Sequence, residues 1–141
     1  MDNINYPKIN DLDEIMRIDS EVVGDHNRRF YIRKAIEECR CLVFKSEQCI
    51  VGFLIFDTHF FEHSFISLVV VCPSKRRKGV AKALIYAFEN ISPTEKIFSS
   101  TNLSNEVMQN LFHSLGYIKS GTVENLDEGD PEIIYYKRRS R

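Results

Sequence analysis

Lys75, Arg76, Arg77 and Lys78 are four consecutive cations, and Gly79 follows them directly. Such a run is suited to holding an anion. The cations supply charge, and a glycine lets backbone approach a ligand without a Cβ in the way. Residues 65–72 (FISLVVVC) before the run read as a buried strand, stopped by Pro73, which has no N–H for a ladder. After it, Val80, Leu84, Ala87, Phe88 and Ile91 share one helical face. A helix N-terminus presents N–H groups with no intrahelical partner and the positive end of the dipole, so phosphate is the natural guest. The bland alternative is a solvated basic turn that binds nothing. Neither G-x-x-x-x-G-K-[ST] nor G-x-G-x-x-G occurs, which speaks against a loop of the NTP-binding or dinucleotide type.

The remaining reactive residues form weaker patterns. Four cysteines (39, 41, 49, 72) and four histidines (26, 59, 63, 113) show no zinc spacing, so no metal is expected. The cysteines read as reduced, mostly buried thiols of a cytoplasmic protein. Glu124, Asp127, Glu128, Asp130 and Glu132 make an acidic segment, either a solvated loop or a lid over a cationic substrate. Lys137, Arg138, Arg139 and Arg141 make a basic tail expected to fray. A net charge of −1 gives no general pull toward nucleic acid or membrane, and neither is expected as a partner. No apolar run has transmembrane length.

These residues need a scaffold, and 141 residues suffice for one domain over 1–141 with a real core. Residues 3–6 read as a short strand. Asp11 and Glu14 resemble a capping box opening a helix with Leu12, Ile15, Met16 and Val22 on its face and Asp19 as a polar intrusion. Gly24 ends it, and Asn27 is expected to cap a second helix with Ile32, Ala35, Ile36 and Cys39 inward. Strands follow at 41–45, 49–57 and 65–72, with Gly52 marking a bulge or a close approach. After the helix from Gly79 come a strand at 96–100, a helix opened by Ser104 or Asn105 with Val107, Met108, Leu111 and Leu115 inward, and strands at 117–123 and 133–137. The order β-α-α-β-β-β-α-β-α-β-β implies an α/β mixed sheet covered by helices, with a parallel crossover around the basic turn.

Two blocks resemble a known family. Val71-Cys72-Pro73 followed by Arg76-Arg77-Lys78-Gly79-Val80-Ala81 is similar to the acetyl-CoA signature of the GCN5-related N-acetyltransferases, the GNAT superfamily. Asn105, Phe112 and Leu115-Gly116-Tyr117 match a second block of that family in order and spacing. The resemblance implies a mixed, mostly antiparallel sheet of about seven strands flanked by about four helices. It implies acetyl-CoA as co-substrate and transfer of its acetyl group to a primary amine, on a small molecule or a peptide, by direct attack in a ternary complex. The N–H groups of Arg77, Lys78, Gly79, Val80 and Ala81 would receive the pyrophosphate, with Arg76 beginning the loop. Val69, Val70 and Val71 would pair with the pantetheine arm in a gap beside the strand at 96–100. The Val71 N–H would polarise the thioester carbonyl, and Asn105 would contact the cofactor.

The pattern departs from the family at Phe112, where many relatives place a tyrosine that protonates the leaving thiolate. Ser100 stands where some relatives acting on protein N-termini carry a glutamate. Glu62 and His63 are candidates for the base that deprotonates the amine, against the plainer reading of both as hairpin residues. The absent tyrosine leaves a second function open, a non-catalytic acyl-CoA-binding sensor or scaffold. The chain is expected to be a monomer or a homodimer.

Overall fold

The computed structural model describes residues 3–139. The elements follow the expected order: β1 (Ile4–Asn5), α1 (Leu12–Val23), α2 (Arg29–Glu37), β2 (Cys41–Ser46), β3 (Cys49–Phe60), β4 (His63–Val71), α3 (Val80–Ile91), β5 (Lys96–Asn102), α4 (Glu106–Ser114), β6 (Ile118–Val123) and β7 (Glu132–Arg138). The seven strands form a mostly antiparallel sheet in the order β1-β2-β3-β4-β5-β7-β6, with β4 and β5 parallel. By compactness the chain divides into two units, Met1–Phe56 with Leu68–Ile91, and Asp57–Ser67 with Ser92–Arg141. No helix among the described residues is long and apolar enough to cross a membrane.

In the first unit the apolar stripes of α1 (Leu12, Ile15, Met16, Ile18) and α2 (Ile32, Ala35, Ile36) bury against Cys41, Val43, Phe53, Ile55 and Val70 of the strands. The polar intrusion on α1 is buried as well. The Asp19 carboxylate accepts from Arg28 Nε at 3.1 Å and from its second guanidinium nitrogen at 2.6 Å, a fork that spans the α1–α2 turn. The helix starts differ from expectation, on α1 because its polar side chains have other work. Asp11 Oδ2 accepts from Lys8 N and Glu14 Oε2 from Ile50 N, so no capping box forms on α1. Arg28, not Asn27, is the residue that precedes α2, and it makes no side-chain cap; the Asn27 N–H donates to Asp25 Oδ1. Val22 and Ile91 are exposed at helix ends, and Cys39 lies beyond α2 with φ 58° and is exposed too. On α3, Val80, Leu84, Ile85, Ala87 and Phe88 are buried, with the Phe88 ring 4.4 Å from Phe56.

In the second unit β3 runs to Phe60, three residues beyond the expected strand, and the hairpin closes in two residues, Phe61 and Glu62. Both have positive φ (50° and 68°), as tight hairpin turns require. β4 pairs with β5 through Ser64↔Ile97, Phe65↔Phe98 and Ile66↔Ser99. β5 alternates half-buried and buried residues, and its buried Ile97, Ser99 and Thr101 share a face. Asn105 caps α4 by accepting from Met108 N at 3.1 Å. Leu115 is buried and Met108 and Leu111 are half-buried as expected, Phe112 is fully buried with them, and of the expected inward residues Val107 is exposed. Gly116, φ 90°, ends the helix.

The basic tail is a strand where it was expected to fray. Lys137 and Arg138 pair with Ile97 and Lys96, and the Arg139 guanidinium donates to the Ser92 and Thr94 carbonyls. Arg141 lies outside the described residues. The acidic segment is tied down rather than loose: Asp130 accepts from Ser104 N and Oγ, and Asp127 from Asn102 Nδ2.

Candidate functional site

β4 ends at Val71, Pro73 opens a short 3-10 turn through Lys75, and Arg76 returns to extended backbone (φ −69°, ψ 155°). Arg77 (φ 64°) and Gly79 (φ 80°) then turn the chain into α3. The first helical bond runs from Ala83 N to Gly79 O at 2.9 Å. The N–H groups of Val80, Ala81 and Lys82 therefore lie ahead of the helical ladder, at the positive end of a 12-residue dipole. A Cβ built on Gly79 meets nothing within 4 Å, so open space faces this backbone.

Arg76, Arg77 and Lys78 are exposed, and among the described residues none has an ion-pair partner. By contrast, Arg17, Arg28, Arg29, Arg33, Lys34, Arg40 and Arg138 all reach a carboxylate. Three uncommitted cations, a helix start and a bare glycine make a cradle that fits a pyrophosphate.

Just before the cradle, Val69 and Val71 are half-buried and Val70 is buried. The pairs between β4 and β5 are Ser64 to Ile66 with Ile97 to Ser99, so the last stands three residues before Val69. Cys72, half-buried, has its Sγ 3.5 Å from Ser74 Oγ. A shallow apolar cleft of about 300 Å³, lined by Ile4, Tyr6, Leu42, Ala87 and Ile91 among others, lies at the far end of α3 from Gly79 and is not this site.

Asn105 belongs to the second unit. Its Oδ1 is engaged by Met108 N, which leaves the amide donors for another task. Phe112, at the position of the missing tyrosine, is fully buried, with Tyr117 at 5.4 Å and Tyr135 stacked at 4.9 Å. Sequence reasoning passed over Tyr135. Its hydroxyl is buried with no hydrogen-bond partner among the described residues, and burial pushes its pKa up. The signal was there: Ile133 and Tyr135 alternate on one strand face, and a phenol in an apolar layer has no sequence-local partner.

Glu62 is exposed on the β3–β4 turn. His63 is half-buried, its ring 5.9 Å from Phe98. Of the four thiols only Cys41 is fully buried, and burial raises its pKa to about 12; Cys39 and Cys49 are exposed, against the expectation of mostly buried thiols. Among the described residues no group of three histidines, cysteines or carboxylates could hold a metal.

The model of the Acetyltransferase (GNAT) family matches residues 9–117. A GNAT family acetyltransferase from Bacillus cereus ATCC 10987 is 52% identical, with a TM-score of 0.95 over 99% of this chain and 98% of that one. The yncA protein of Salmonella typhimurium, solved with its cofactor acetyl-CoA, is 16% identical with a TM-score of 0.78, covering 98% of this chain and 94% of that one. The ribosomal-protein-S18-alanine N-acetyltransferase of Escherichia coli is 17% identical with a TM-score of 0.83 and the same coverage. These last two likenesses are of fold. A search of curated proteins finds no match. The family model spans both blocks read in the sequence, from before the basic turn to Tyr117, and more than half of the chain: it belongs to the GNAT acetyltransferase family.

Proposed function

We propose that this protein is an acetyl-CoA-dependent N-acetyltransferase, built as a single acyltransferase domain over 1–141. The observation that carries the reading is the cradle after β4: free helix-start N–H groups, an open Gly79 and three unpaired cations in a chain of a family that uses acetyl-CoA. Bound acetyl-CoA supplies the thioester that the acceptor attacks. The chain's own residues bind and orient. The N–H groups of Arg77, Lys78, Gly79, Val80 and Ala81 receive the pyrophosphate, and Arg76, Arg77 and Lys78 add charge to the site. The backbone of Val69, Val70 and Val71 pairs with the pantetheine arm. The Val71 N–H donates to the thioester oxygen as negative charge develops there. Asn105 donates its amide to the cofactor while its Oδ1 caps α4.

The acceptor is a primary amine on a small molecule or a peptide, attacking directly in a ternary complex. Holding thioester and amine together supplies much of the rate, and a thiolate leaves without an obligatory acid. Glu62 and His63 stand as candidates for the base, tested by the pH profiles of kcat in Glu62→Gln and His63→Gln. Phe112, buried in a ring stack and without a proton to give, favours one alternative: a module that binds acyl-CoA and does no chemistry. Incubation with acetyl-CoA and a panel of amines, read as free thiol, separates the two. Amine-dependent thiol release establishes the enzyme. Tight CoA binding with no release above background establishes the module.

A further inference from the structure

Val51 and Gly52 sit at the irregularity of the β2–β3 ladder. Phe44 faces Gly52 and Lys45 faces Ile50, so Val51 is the extra residue of a β-bulge. The Val51 carbonyl accepts from Cys72 N at 2.8 Å, at the point where β4 gives way to the turn. Gly52, beside it, admits an approach closed to any larger residue. A Cβ there would lie 2.8 Å from Val80 Cγ1 and 3.2 Å from the Val70 carbonyl oxygen, with Leu84 Cδ1 at 3.5 Å. Neither near neighbour gives way cheaply. Val80 is β-branched at a helix start, where its χ1 is restricted, and the Val70 oxygen is backbone. The first residue of α3 thus rests on bare β3 backbone. Residues 73–79, with the exposed cations, are held at both ends by one dipeptide: at Cys72 by Val51, and at Val80 by Gly52.

We propose that Gly52 is a positioning residue for the coenzyme A site. By allowing Val80 to seat on β3, it sets how closely the N-terminus of α3 approaches the end of β4. It thereby sets the spacing between the N–H groups that take pyrophosphate and the Val71 N–H that takes the thioester oxygen. This rests on the acetyl-CoA reading of the cradle. Gly52 touches no ligand; it acts through Val80 and Val70.

The test is Gly52→Ala in two backgrounds, wild type and Val80→Ala, which removes the Cγ1 that a new Cβ would strike. Calorimetric titration with CoA should show at least about a tenfold loss of affinity for Gly52→Ala in the wild-type background. Against Val80→Ala alone, the same substitution should cost about threefold or less. Hydrogen exchange of the Cys72 and Ala83 amides, which donate to the Val51 and Gly79 carbonyls at the two ends of the turn, should quicken without ligand in Gly52→Ala and recover in the double variant. An equal affinity loss in both backgrounds overturns the proposal. So does a Gly52→Ala protein with lowered Tm but unchanged affinity and exchange, since that is packing alone. If wild type binds no CoA, the reading of the cradle falls by itself. The exchange comparison then decides Gly52's role: unchanged exchange overturns it, and quickened exchange restored in the double variant supports it. If Gly52→Ala does not fold, restored folding in the double variant supports the proposal and continued unfolding overturns it.

Discussion

Two single side chains give sharp expectations. Cys41 is buried and its thiol is pushed up to about 12, so thiolate is scarce at neutral pH. Iodoacetamide at pH 7.5 should label Cys39 and Cys49 and spare Cys41 in the folded protein, as read by peptide mass spectrometry. Labelling of Cys41 at the rate of Cys39 would contradict its burial. Among the described residues the buried Tyr135 hydroxyl has no hydrogen-bond partner, and leaving such a group unsatisfied costs about 1–3 kcal/mol. Tyr135→Phe should therefore leave stability unchanged or raise it. Because burial raises the folded pKa of Tyr135, its neutral form fits the fold below the ordinary tyrosine range, and stability should fall as pH climbs above about 10. The Phe variant should lose that share of the alkaline decline in a series of thermal melts. Residue chemistry of this kind was only half legible beforehand. The cations and Gly79 announced themselves by adjacency, because a turn is built from neighbours in sequence. The alternation of Ile133 and Tyr135 could place that phenol on a buried strand face, but what surrounds its hydroxyl depends on strand pairing and α4 packing, which no local pattern contains.

Among the elements, the α1–α2 corner illustrates what periodicity misses. Asp19 interrupted an otherwise apolar stripe, and its partner Arg28 lies nine residues on, beyond a turn. Asp19→Ala would strand a guanidinium that is a third exposed, so the cost should sit near the lower end for a broken buried pair, about 3 kcal/mol. Urea unfolding checks this; a change below about 0.5 kcal/mol would mean that the fork contributes nothing net. The order and type of every element were readable from apolar period, from Gly24 and Gly116 as stops and from Pro73 as a strand end. The ends were less so. The β3 hairpin tightened because Phe61 and Glu62 accept positive φ without a glycine to flag it. The capping box on α1 was misjudged because the Asp11 and Glu14 carboxylates accept from Lys8 N and Ile50 N, and the cap of α2 because the helix starts one residue later than Asn27 would set it.

For the molecule as a whole, composition and charge excluded more than they assigned. A net charge of −1 says little about partners, while the local contrast between paired and unpaired cations says a good deal. Membership of the GNAT acetyltransferase family goes with the fold, and the cradle carries the functional reading proposed for this chain. The central claim is that the turn from Arg76 to Ala81 holds the pyrophosphate of acetyl-CoA. Gly79→Val tests it most directly, since a β-branched residue at φ 80° is strained by about 1–2 kcal/mol and fills the open space over the backbone. Calorimetric titration with CoA should show one saturable site in the wild-type protein. Affinity should fall at least about tenfold in the variant, equivalent to about 1.4 kcal/mol, with the folded circular-dichroism spectrum retained. Equal affinity in the two proteins, or no binding by wild type, would contradict the claim.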